Sequence, residues 1–209
     1  MSIRTGVIAG ILASALFVTV STVEALTRPA FDLSRHAISM LSLGERGWVM
    51  VATFLTTGAL VVAMAFAIRR LHPGPWAALL IGGFGAGLLI AGVFPAPRGL
   101  GFPAGTPLDL QPEMTLSAIL HSLGFNVAFT CLIAACFVLA TRYLRSGRRA
   151  TGIACLAAGL GVPVLIGLGA SSVVPTGIGF YLAALFAWAW LAGIGALHLR
   201  DARVAHGSP

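Results

Sequence analysis

The stretch WAALLIGGFGAGLLIAGVF, Trp76–Phe94, decides the fold. Its 19 residues carry no charge. An α-helix rising ~1.5 Å per residue needs ~20 residues to cross ~30 Å of hydrocarbon. The centre of the run, IGGFGAG at 81–87, has a surface likeness to a dinucleotide-binding loop. That loop type follows a strand, whereas here apolar residues at helix length flank the glycines on both sides. Small residues spaced by four let helices approach closely in lipid. The stretch therefore reads as a membrane span and not as a nucleotide site.

Working outward, further apolar runs of similar length stand at about 6–26, 48–68, 115–141, 150–172 and 178–198. Composition agrees: 58% of the chain is hydrophobic and 9% charged, against roughly 25% charged in a soluble domain. The mean hydropathy is +0.97. These features predict an all-α, polytopic membrane protein with six transmembrane helices in one bundle. A single domain would fill 1–209, with a tail at 199–209 and little chain left for a soluble unit. The N-terminus resembles a secretion signal, with Arg4 before an apolar run that contains Ala13-Ser14-Ala15. The triplet falls mid-run and the apolar pattern continues to Leu26, so the expectation is an uncleaved first span.

Charge assigns the two sides. All 13 basic residues are arginine. Arg4, Arg69, Arg70, Arg142, Arg145, Arg148, Arg149, Arg200 and Arg203 fall on the side of the termini, and Arg28, Arg35, Arg46 and Arg98 on the other. With the acidic residues counted, the first side nets +8 and the second −1. The positive-inside rule then predicts both termini in the cytoplasm and a multi-pass protein of the bacterial cytoplasmic (inner) membrane. The same sorting removes nucleic acid as a partner despite a pI near 11.0; basic loops between spans meet anionic lipid headgroups instead. Cys131, Cys136 and Cys155 lie in apolar spans, where a thiol acts as a small hydrophobe, so no disulfide is expected.

Function is expected at the outer face, where two loops of about 20 residues carry most of the other ionisable groups. In the first, DLSRHAISMLS (Asp32–Ser42) predicts a short helix capped by Asp32 that lies in the interface or tucks into the bundle. As a helix it would place Asp32, His36 and Ser39 on one face. The second loop contains Pro95, Pro97, Pro103, Pro107 and Pro112, which exclude regular helix and predict an ordered lid. At its end Glu113, Ser117 and His121 again share a helical spacing. An ionisable group as deep as His121 must face the bundle interior, pair, or bind something. The expected ligand-binding set is Asp32, Arg35, His36, Ser39, Arg98, Glu113, Ser117 and His121, with Asp109 nearby. Together they would form an outer polar pocket that binds or transports a small amphipathic or lipid-derived molecule. Arg35 or Arg98 would meet its anionic group through paired donors.

Two other readings stay open. One is an intramembrane hydrolase or transferase using His36 and His121. In its metal-assisted version a divalent ion such as zinc would sit among His36, His121, Asp32 and Glu113, although the HExxH and paired CxxC spacings are absent. Without a metal, Ser39 or Ser117 would need a histidine oriented by an acid, and no nucleophile motif accompanies either. Haem would draw on His36 and His121 outside and on His72 and His198 inside. The inner two look like interfacial residues, His72 beside Pro73 and His198 beside Arg200. No cofactor is therefore the expectation. The other reading is an accessory subunit of a membrane complex, with an oligomer or partner subunit. In the fifth span, Pro163 among glycines predicts a bend.

The passages AFDLSRHAISMLSLGERGWVMVATFLTTGAL and GVFPAPRGLGFPAGTP, with LSAILHSLGFNVAFTCLIAACFVLATRYLR, resemble a six-span integral membrane protein family of bacteria and archaea. That family is known as domain of unknown function nine-nine-eight. The resemblance covers about residues 5–195 and falls on Ser39, Leu41, Gly44, Trp48, Gly58, Phe94-Pro95, Pro103, His121 and Phe129. It implies the six-span fold and an outer polar site, and no activity. Members often carry an acidic residue after the Phe-Pro pair. This chain has Ala96-Pro97-Arg98 there, so no acid is carried over to that position.

Overall fold

The Ser2 hydroxyl starts the first helix by accepting from the Thr5 amide at 3.0 Å, which satisfies one of the orphan N–H groups of the first turn. The computed structural model describes residues 2–72 and 74–206, with side chains through Asp201. The end of the expected tail lies outside the described residues. Six helices follow one another: α1 Ile3–Thr27, α2 Gly47–Leu71, α3 Trp76–Val93, α4 Leu116–Arg145, α5 Arg149–Ala170 and α6 Thr176–His206. Each has the length and apolarity of a membrane span. Among the described residues the only β pairing is an isolated bridge between Gly99 and Phe102. The chain is thus an all-α, multi-pass membrane protein. α4 and α6 run several residues beyond their apolar runs, because long basic side chains at a helix end can reach the interface and let the helix continue.

The helices form a closed ring in chain order. Each packs on its sequence neighbours, and α6 closes on α1. Leu12, Phe66, Leu79, Leu123 and Val164 remain exposed on the outside, where lipid rather than water is the natural solvent. Glycine sets the tightest contacts. A Cβ at Gly87 in α3 would stand 2.5 Å from the Gly124 carbonyl oxygen and the Ala128 amide of α4. Those are backbone atoms that cannot swing aside, so the IGGFGAG stretch is a packing face. Gly87→Ala is expected to cost about 1–3 kcal/mol by forcing α3 and α4 apart. At Gly82 the added Cβ would meet only the Ala65 Cβ at 3.6 Å, and Gly82→Ala should be near neutral. Paired thermal unfolding of the two variants in detergent checks the contrast.

The two ends of the ring differ. At the end bearing the termini, alternate helices meet across the middle: His72 after α2, Tyr143 of α4 and His198 of α6 are all buried. The His72 and His198 Nε2 atoms lie 3.2 Å apart, and the Tyr143 hydroxyl is 3.3 Å from His198 Nε2. The two histidines that looked interfacial in sequence lie at this end and are buried against each other. Arg148 reinforces this end by donating to both oxygens of Asp201, at 2.7 and 3.1 Å. At the opposite end the middle of the ring is hollow, and the two long loops cover it.

The first loop and the end of the second depart from the helical expectation, while residues 94–115 hold no helix, as their prolines require. Asp32 does begin a turn: its carbonyl accepts from the Arg35 and His36 amides, and its carboxylate from the Ser34 amide and hydroxyl at 2.8 and 2.7 Å. Ser34 holds the Asp32 carboxyl below its ordinary range. The helix does not continue. Ala37 is extended, and a separate 3₁₀ helix follows at Ile38–Ser42 with Ile38, Met40, Leu41 and Ser42 buried. The short helix is therefore tucked into the bundle, and the break turns Asp32, His36 and Ser39 away from a common face. Glu113 and His121 do not share a helix either. α4 begins after Thr115, whose hydroxyl caps the Ala118 amide at 3.3 Å, and this leaves Glu113 in the loop, exposed.

Candidate ligand-binding chamber

The first loop is held by charge. Glu24, at the end of α1, is 4% exposed and Arg28 is 8% exposed, so neither ion could stand there alone. Arg28 donates from Nε to Glu24 at 3.0 Å and also from its terminal nitrogen. It then reaches the Leu43 and Leu41 carbonyls at 2.9 and 3.3 Å. Arg46 donates to the other Glu24 oxygen from the rim. The pair thus ties α1 to the strand of chain that covers the hollow. Sequence reasoning tallied these three charges without joining them. The signal was present: a carboxylate inside an apolar span with an arginine four residues on.

His36 does the corresponding work for the second loop. It is 2% exposed. Its Nδ1 accepts from the Asp32 amide at 2.9 Å, so Nε2 carries the proton and donates to the Leu100 carbonyl at 2.9 Å. The ring is packed against Phe31 and the buried Phe102. Gly44, at φ +75°, has space for a Cβ only 3.2 Å from Pro103, so the two loops touch there as well. At the other edge Gly177 of α6 sits beneath the Leu33 and His36 carbonyls with no room for a side chain.

Beneath this roof lies a cavity of ≈ 390 Å³, within the range of ligand pockets, roughly 300–1,000 Å³. Its ceiling is Ala37–Met40 of the first loop and Ala96, Pro97 and Pro112 of the second. Its floor is aromatic: Phe17 stacks on Trp188 at 4.8 Å, and Phe84 lies 5.2 Å from Trp188 and 6.4 Å from Phe129. The polar groups in the wall are few: Ser39, His121, Ser122 and Asn126. His121, 6% exposed, donates from Nδ1 to the Phe94 carbonyl at 2.7 Å, which pins the end of α3 to α4. Ser117 donates to the neighbouring Pro95 carbonyl at 3.2 Å.

Of the residues singled out in sequence, Ser39 and His121 both line the cavity wall, while His36 is spent on joining the loops. Asp32, Arg35, Arg98, Asp109 and Glu113 are exposed on the loop surface. No histidine is hydrogen-bonded to Asp32 or Glu113 side chains among the described residues. The same residues hold no group of three or more His, Cys, Asp or Glu arranged around a metal position. Phe54, Phe84, Phe125, Phe129 and Trp188 were missed as cavity walls, because in sequence a large apolar residue in a span looks the same whether it fills the core or lines a hole.

The family model described as protein of unknown function, DUF998, matches residues 11–197. The chain belongs to this family. No curated protein and no solved structure matches it. The match takes in α2 to α5, both long loops and the greater part of α1 and α6. The positions that carried the resemblance come together in this fold: His121 on Phe94, and Gly44 on Pro103.

Proposed function

We propose that this membrane protein uses the roofed cavity to bind, and in a transport cycle to pass on, a small amphipathic or lipid-derived molecule at the extracytoplasmic side. The observation that carries the reading is the cavity itself, aromatic at the floor with Ser39, His121, Ser122 and Asn126 as its polar wall. Apolar pockets with a few convergent polar groups are where such ligands bind. The sidedness rests on arginine: the termini end holds nine of the thirteen and is taken as cytoplasmic, in a bacterial inner membrane. Arg35 and Arg98 flank the ceiling residues in sequence, and in this reading they meet the anionic headgroup. No observation favours a catalytic role over binding.

The test is titration of purified protein with a fluorescent long-chain fatty-acid analogue. Replacing His121 by alanine removes one polar contact, so affinity should fall about tenfold. Ala184→Phe puts a ring into the cavity far from the roof, and it should abolish binding while the protein unfolds as the parent does. Unchanged binding in Ala184→Phe would overturn the reading.

A further inference from the structure

We propose that the cavity is reached sideways, through a gap between α4 and α6, and that its occupant is an acyl chain of a lipid in the outer leaflet. This rests on the binding role above and names the ligand class and its route. Three observations point the same way.

The first is depth. On α6, Trp188 lies 12 residues from Arg200, and on α1 Phe17 lies 13 residues from Arg4, or about 18–20 Å of helix from the arginines that mark the inner interface. The hydrocarbon layer is about 30 Å thick, so the aromatic floor sits near the bilayer midplane. From that floor to the loops, the cavity occupies the height of one leaflet.

The second is a missing wall. α1, α2, α3, α4 and α6 all line the cavity, and α5 contributes no residue. α5 packs on α4 through its inner half, with Gly152 against Leu144 and Gly159 against Cys136 and Phe137. At its outer end, beyond Pro163, Gly169 lies against Gly179 of α6. On the outer half the rings of Phe125 and Phe180, 5.9 Å apart and both in the cavity lining, close this side; they are side chains, which can swing aside to open the gap where a helix backbone could not.

The third is Asn126. It lines the cavity and is also exposed on the outside of the bundle. It stands 16 residues before Arg142 on α4, about 24 Å from it, and so lies inside the outer leaflet. Its Nδ2 donates to the Ser122 carbonyl at 2.8 Å, and its Oδ1 accepts nothing among the described residues. An amide with a spare acceptor facing lipid is costly, which fits the rim of an opening through which a lipid's polar upper portion passes.

Trp188, 2% exposed, reports on the floor. With Trp48, Trp76 and Trp190 replaced by phenylalanine, the protein is reconstituted in phosphatidylcholine vesicles whose acyl chains carry bromine in their terminal half. Trp188, at the depth of the bromines, should then be quenched more strongly than Trp76, which stands six residues from Arg70 at the inner interface, kept alone in a parallel variant. Asn126→Phe should restore its fluorescence. If the triple replacement does not fold, wild type minus Trp188→Phe gives the same quantity. A shielded Trp188 in a protein that still binds the fatty-acid analogue overturns the side route and leaves the binding role standing. A shielded Trp188 with no binding overturns both.

Discussion

Replacing Glu24 by glutamine should cost the folded protein about 3–5 kcal/mol, because it leaves the Arg28 guanidinium buried without its counter-charge. Both side chains are almost fully buried, 5% and 6% exposed, so the screening that makes surface pairs weak does not apply. The third member of the cluster behaves differently. The Arg46 side chain is 45% exposed, and Arg46→Ala should cost about 1 kcal/mol or less. Replacing Glu24 and Arg28 together by leucine should recover most of the loss, since a buried pair exchanged for apolar groups is often near neutral. Denaturant unfolding in detergent measures all three. A Glu24→Gln protein as stable as the parent would mean that the pair does not hold the roof.

Acid should release the other end of the ring, by about 3 kcal/mol at pH 4. Burial, with His198 and Arg142 adding to it, pushes the His72 imidazole down from 6.5 to about 4. A histidine that is harder to protonate when folded takes up its proton more readily once unfolded. The stability is therefore complete above about pH 6.5 and is lost as pH falls towards 4. The groups that face it are His198, Tyr143 and Arg142. A proton on His72 also sets a charge against His198 across the contact that joins α2 to α6. Unfolding temperatures between pH 7 and pH 4 should fall steeply in the parent and much less in His72→Asn. Equal slopes would assign the acid sensitivity to other groups.

How much of this was legible beforehand depends on the kind of residue. The spans were legible because length and apolarity alone decide what can cross hydrocarbon, and their ends were off most at α4 and α6, where arginine let the helix continue, while α1 starts and α2 ends three residues beyond the expected runs. The packing role of IGGFGAG was legible for the same reason. The loops were not. Asp32, His36 and Ser39 have helical spacing, but the carboxylate and imidazole of that segment found closer partners in Ser34 and in the backbone of Asp32 and Leu100. Local polar competition of this kind breaks a helix that spacing alone would allow. Glu113 was misplaced by the same logic, since Thr115 caps α4 two residues after it.

By itself the sequence determined the solvent, the number of spans and the sorting of charge between the two ends, because each follows from transfer free energies summed along the chain. Only the tertiary structure decided which polar residues meet. Glu24 with Arg28, His36 with Leu100, His72 with His198, and His121 with Phe94 are distances between elements that no spacing encodes. It also decided that the ring is closed at one end and hollow at the other. Whether a phenylalanine fills a core or walls a cavity depends on what stands opposite it. For Phe17, Phe84 and Phe129 the facing residues come from other helices and from both loops.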